Sequence, residues 1–200
     1  MKESDWAVRR DHRPRLTFDA FCETHERAWA GFARTWLWDL TAAARVVEEM
    51  KEHLWRNWPT ALREPVPAFE AWMLIKEHVR KEMRVAAALN TGPGRRQEAV
   101  PEWVDEVRDS VCPVETGRAG AGPPGAVAGG GEDGRRRFHE QICALSERRR
   151  DVIILRYHLG LTYRVIAEYL GITEAGARSA AEQAGEALAR RLGSRQEGEQ

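Results

Sequence analysis

The sequence predicts an all-α protein of two small helical domains joined by a flexible Gly/Pro/Ala-rich linker, the second domain containing a helix-turn-helix. Three observations predict it. Apolar residues recur at three- and four-residue steps on both sides of the chain's middle, and strand-like alternation is absent. Between them, from Asn90 to Gly134, the composition shifts to Gly, Ala, Pro and charge, ending in Gly129-Gly130-Gly131. The expected division is a tail over 1–17, a helical domain over 18–89, the linker over 90–134, a second helical domain over 135–192, and a tail over 193–200.

The first domain reads as three helices. Phe18, Phe21, Cys22, His25, Ala28, Trp29 and Phe32 form one apolar stripe, continued by Trp36, Leu37 and Leu40. Val46, Val47, Met50, Leu54 and Trp55 form a second stripe between Ala42 and Trp58. Pro59, Pro65 and Pro67 break the chain before a third helix over Ala68 to Ala88, with Trp72, Ile75, Val79 and Met83 on one face. Trp55 and Trp72 sit on these stripes and are expected in the core. Within the linker, Val100, Trp103, Val104 and Val107 suit one or two amphipathic turns.

Charge narrows the function classes. The chain carries 31 Lys+Arg and 31 Asp+Glu, so a globally basic, histone-like binder is excluded, and contact with nucleic acid must come from local patches. Residues 1–89 hold 15 basic and 14 acidic groups, residues 90–134 hold 4 and 8, and residues 135–200 hold 12 and 9. No apolar run approaches the roughly 20 residues of a membrane span. The opening MKESDWAVRRDHRPR lacks the apolar core of a secretory signal. Cys22, Cys112 and Cys143 are too scattered for a disulfide framework. A cytoplasmic protein without membrane contact is expected.

The second domain reads as helices near Arg136–Cys143, Ser146–His158, Thr162–Tyr169 and Thr173–Leu192, with Ser146, Thr162 and Thr173 at N-cap positions. In LGLTYRVIAEYLGITEAGARSAAEQ, small Ala167 stands where two helices cross. Gly171 supplies a sharp turn, and Ile166, Leu170 and Ile172 fill the angle between the helices. This is the spacing by which a helix-turn-helix projects a recognition helix into the DNA major groove; a plain helical hairpin is the alternative.

Residues 138–192, beginning FHEQICALSERRRDVIILRY, resemble region four of bacterial RNA polymerase sigma factors, most closely the two-region extracytoplasmic-function type. The run ALSERRRDVIILRY mirrors the family's Leu-Pro-x-x-x-Arg-x-hydrophobic pattern, with Ser146 in place of Pro. FDAFCETHERAWAGFARTWLWD resembles the opening helix of region two, AARVVEEMKEHLWRNW its polymerase-binding helix, and PAFEAWMLIKEHVRKEMR the helix that handles the upstream promoter element.

The resemblance implies a sigma factor whose partners are core RNA polymerase and promoter DNA, as duplex and as melted strand, and it leaves room for an anti-sigma factor. It places polymerase binding at Val46, Val47, Glu48, Glu49 and Met50. It places DNA binding at Thr173, Glu174, Arg178, Ser179 and Arg164 in the second domain, and at Lys76, Arg80 and Arg84 in the first, where Lys81 completes the cluster. The polymerase-binding helix departs from the family at Ala44, Arg45, Glu48 and Lys51. The recognition helix departs further: Ala177 and Ala181 are small core positions, Gly176 and Gly185 weaken the helix, and Glu182 and Glu186 stand where the family has cations.

Cys22 with His25, and His139 with Cys143, have helical ligand spacing but lie in separate domains, so no metal or cofactor is expected. No Ser/His/Asp set or phosphate loop appears, and Glu48-Glu49 reads as a solvated face, so no enzymatic activity is expected. The competing functions are a sigma-like interaction module that has lost promoter reading, and a helix-turn-helix repressor that never meets polymerase.

Overall fold

The structure, a computed structural model, describes residues 4–89, 100–111 and 132–193. All regular structure among them is helical, in two compact units that divide between Arg95 and Arg96.

The first unit holds α1 (Ser4–Leu37), α2 (Leu40–Arg56), the single turn α3 (Trp58–Ala61) and α4 (Pro67–Leu89). α1, α2 and α4 pack on one another in all three pairings. Their shared core is aromatic: Trp29, Met50, Trp58, Trp72 and Ile75 are almost wholly buried, and Phe32 meets Trp72 with ring centroids 4.7 Å apart. Large rings bury much apolar area per residue, which suits a three-helix unit with few core positions. Trp55 is only half-buried and meets Phe18 at a tilt, 5.1 Å between centroids, with the Arg15 guanidinium above it.

Two boundaries differ from the expected ones. Residues 4–17, read as a tail, continue α1 through Pro14; Thr17 there accepts a 3.1 Å hydrogen bond from the Trp58 indole N–H. Leu40, read as the end of the first stripe, instead opens α2 and is exposed. The chain reverses at Trp38, whose φ of 55° is unusual for a bulky residue and costs about 1–3 kcal/mol. Asp39 then caps α2, accepting from the Thr41 and Ala42 N–H groups at 2.8 and 3.0 Å.

The second unit holds α5 (Trp103–Val111), α6 (Glu132–Cys143), α7 (Glu147–Ile153) running into a π turn (Ile154–His158), α8 (Tyr163–Leu170) and α9 (Glu174–Gly193). Phe138, Ile142, Val152 to Leu155 and Ile166 form its core with Ala177, Ala181, Ala184 and Leu188 of α9. α5 lies inside the segment expected to be linker, yet it packs on the π turn, α6 and α9, with Val104 and Val107 fully buried. The linker expectation therefore does not hold for residues 100–111. Its apolar spacing was visible, but only a long-range contact decides whether four apolar residues stay in solvent. The remainder of the expected linker, 112–131 with Cys112, lies outside the described residues, as do 90–99.

Candidate nucleic-acid interface

The helix-turn-helix is built by local rules. Thr162 caps α8, its hydroxyl accepting from the Val165 N–H at 3.4 Å. α8 ends at Gly171, whose left-handed backbone (φ 60°, ψ 37°) a side chain would strain. The Gly171 and Ile172 N–H groups both return to the Ala167 carbonyl. Thr173 then starts α9, its hydroxyl accepting from the Gly176 N–H at 3.1 Å. A Cβ on Gly176 would sit 3.2 Å from that hydroxyl, so the glycine leaves room for the cap.

α9 turns Ala177, Ala181, Ala184 and Leu188 inward and leaves Glu174, Arg178, Ser179, Glu182, Gln183 and Glu186 exposed. Alanine at the seam lets α9 lie close to α7 and α8, both of which it packs against. The exposed face carries three carboxylates, which a duplex phosphate backbone repels.

Of the expected DNA-binding residues, Thr173, Glu174, Arg178, Ser179 and Arg164 gather at this motif. Arg178 forms a 3.8 Å ion pair with Glu174, and its guanidinium carbon stands 4.9 Å from the Tyr163 ring centroid. Arg164 faces Glu168 at 3.7 Å. Ser179 accepts from Gln183 at 3.1 Å, and the Gln183 carbonyl accepts from Arg149 of α7 at 2.9 Å. That chain lines an open cleft between the start of α7 and the first turns of α9, with Arg148 on its rim.

Tyr163 was not singled out from the sequence. Tyr163 receives a second guanidinium, Arg156, 4.8 Å from its centroid; the Arg156 side chain also donates to the Leu161 carbonyl at 3.0 Å. Burial raises the Tyr157 hydroxyl's pKa, and the neighbouring Tyr163 adds to it. An aromatic at the first position of α8, beside an arginine-rich chain, is the sequence signal for such a pairing, though spacing alone does not reveal it.

The first unit corrects two assignments. Lys76 is 6% exposed, so it does not present its ammonium to a nucleic acid; it follows Ile75 and stands four residues after Trp72, both fully buried on the inward face of α4. Arg80, Lys81 and Arg84 are exposed on the same helix. In α2, Val46, Val47 and Met50 are 1%, 3% and 0% exposed and belong to the packed core, so their side chains are not a docking surface. Periodicity put them on one stripe, and the stripe faces α1 and α4. Glu48 and Glu49 of the same group are exposed, Glu48 with Lys51 at 2.9 Å and Glu49 with Arg45 at 3.4 Å.

Cys22 is buried and its thiol is pushed up to about 11, chiefly by desolvation. Cys143 lies 3.7 Å from His139 Nε2 in the other unit. Among the described residues no three His, Cys, Asp or Glu side chains are placed to hold a metal, and no helix is long and apolar enough to cross a membrane.

Residues 135–188 match the family model for Sigma-70, region 4. No curated protein matches the chain. The matched span holds α7, α8 and the turn between α8 and α9 complete, with most of α6 and α9. The second unit is thus similar to Sigma-70 region 4, and the match supports a sigma-factor-like, DNA-binding role in transcription.

Proposed function

We propose that this chain is an RNA polymerase sigma factor of the two-region, extracytoplasmic-function type, which binds core polymerase and directs it to promoters. The observation that carries the reading is the Sigma-70 region 4 match over residues 135–188, laid on a helix-turn-helix with a capped α8, a left-handed Gly171 and a capped α9. The likeness of the first unit to region two supports it from the sequence side. In this reading the second unit meets duplex promoter DNA through Arg178, Ser179, Arg164, Thr173 and Glu174. The first unit handles the melted strand through Arg80 and Arg84 and meets polymerase through Glu48 and Glu49. The protein works in the cytoplasm, without cofactor or catalytic chemistry, and an anti-sigma factor is a further partner of the type. The test is co-elution of the purified chain with core RNA polymerase, followed by transcription from promoter libraries. Promoter-dependent transcripts are expected; absence of both binding and transcription overturns the reading.

A second reading, an interaction module that has lost promoter reading, is favoured by the exposed Glu174, Glu182 and Glu186 on α9. It predicts co-elution with polymerase and no promoter-dependent transcript.

A further inference from the structure

The helix α5 lies outside the span that matches Sigma-70 region 4, and it is seated on the second unit by two kinds of contact. Val100, Trp103, Val104 and Val107 bury their apolar side chains. Around them stand polar contacts: Asp105 forms ion pairs with Arg135 of α6 at 2.6 Å and with Arg108 at 3.0 Å, and Glu106 is hydrogen-bonded to His158 of the π turn at 3.1 Å. Arg135 also donates to the Val100 carbonyl, and the Trp103 ring lies against His158, 5.3 Å between centroids. The seat is imperfect, because the buried Trp103 indole N–H has no acceptor.

The seated helix reverses the unit's charge. Residues 132–193 carry 11 Lys+Arg and 9 Asp+Glu, a net of +2; residues 100–111 carry Arg108 against Glu102, Asp105, Glu106 and Asp109, a net of −3. With α5 in place the described part of the unit is therefore at −1, and Arg135 is occupied by a carboxylate. α5 also reaches the recognition helix: a Cβ on Gly185 of α9 would lie 3.6 Å from Val111. A unit that meets polyanionic DNA loses affinity with each unit of net negative charge placed on it, because fewer cations are left to displace counterions.

We propose that α5 is an acidic autoinhibitory strap: docked on the second unit, it lowers that unit's affinity for duplex DNA, and its release raises it. The proposal rests on the DNA-binding reading of the second unit. Glu102 and Asp109 are exposed; Asp109 pairs with Arg108 of its own helix and Glu102 adds a longer-range attraction to Arg135, so both supply charge with little anchoring, whereas Val104 and Val107 anchor the helix without charge.

The experiment measures binding of the full chain to a mixed-sequence duplex by fluorescence anisotropy across a salt series, beside hydrogen exchange of the α5 amides. Glu102→Gln with Asp109→Asn is expected to keep α5 protected and to raise affinity about twofold to fivefold at low ionic strength, the gain fading at high salt. Val104→Ser with Val107→Ser is expected to expose α5 to exchange and to raise affinity further. Binding that depends on Arg178 but is unchanged or weakened in both double variants overturns the strap and leaves the DNA reading standing. Absence of binding in the wild type and every variant removes the DNA reading, and the strap with it.

Discussion

Arg178 and Tyr163 bind the two helices of the helix-turn-helix together: the guanidinium at the start of α9 lies over the ring at the start of α8, 4.9 Å from its centroid. Cation–π contact of this kind contributes roughly 0.5–1 kcal/mol at an exposed site and fixes the direction in which the arginine points. Glu174, one turn earlier, neutralises part of the same charge. The arginine proposed to meet a base edge is thus held by an aromatic and an acid of its own motif.

Replacing Arg178 with Ala is expected to weaken duplex binding by about 1–3 kcal/mol if the side chain reads a guanine edge, and to blur sequence preference. Glu182→Arg is expected to strengthen binding and to steepen the salt dependence by about 0.9 in the log–log slope, one added phosphate contact. A salt titration of the full chain and both variants reads both effects; identical slopes for wild type and Glu182→Arg would show that α9 does not face phosphate.

The two glycines of α9 should respond in opposite ways. A methyl at Gly185 meets Val111 at an ordinary 3.6 Å, so Gly185→Ala gains helix propensity of about 1 kcal/mol and raises Tm. A methyl at Gly176 crowds the Thr173 hydroxyl at 3.2 Å, the group that caps the helix, so Gly176→Ala is expected to gain little or to lose stability. Thermal unfolding of the two variants separates these outcomes.

Acidification should loosen the first unit. His78 of α4 faces His53 of α2, Nε2 to Nδ1 at 3.4 Å, and its buried Nδ1 has no partner. Desolvation, then His53 and, more weakly, Lys81, hold the His78 pKa below its ordinary 6.5, against Glu49 and Glu77. A lowered histidine pKa means that the unfolded chain takes up the proton first. Its stabilising contribution is therefore complete above about pH 6.5 and is lost as pH falls through that value toward the folded pKa. Urea unfolding at pH 7.5 and 5.5 should show a smaller difference for His78→Gln than for wild type. An equal difference in both would assign the acid sensitivity elsewhere, for instance to His139 of the second unit, whose pKa burial also lowers.

Polymerase binding has to be probed where α2 is exposed. Glu49→Lys should reduce co-elution with core polymerase while leaving the helical circular dichroism intact, because Glu49 is a surface residue paired with Arg45. Val47→Asp buries an unpaired carboxylate among α1, α2 and α4 and is expected to destabilise the unit by several kcal/mol. Full co-elution of Glu49→Lys would remove this residue from the docking surface.

Much of the fold was legible because its signals are local. The stripe Trp72, Ile75, Val79 marks the inward face of α4, and Thr162, Gly171 and Thr173 act where cap and turn chemistry put them. The misreadings share a cause: sequence spacing identifies a face without saying what covers it. Val46, Val47 and Met50 have the periodicity of a docking stripe and of a core stripe alike, and Lys76 looks solvated until Ile75 and Trp72 show which way its turn faces. The docking of Trp103 to Val111 depends on partners far along the chain, Arg135 30 residues from Asp105 and His158 52 residues from Glu106, and no local rule reaches that far.

The alanine seam of α9 bears on which part of the second unit opens first. Ala177, Ala181 and Ala184 each remove only a methyl group from water, and Leu188 is the first large aliphatic anchor along the helix. Native-state amide exchange should therefore find the first two turns of α9 in a lower-energy opening unit than α7, whose Val152 and Ile153 are fully buried. A helix seated on methyl groups forfeits little packing when it shifts against its scaffold.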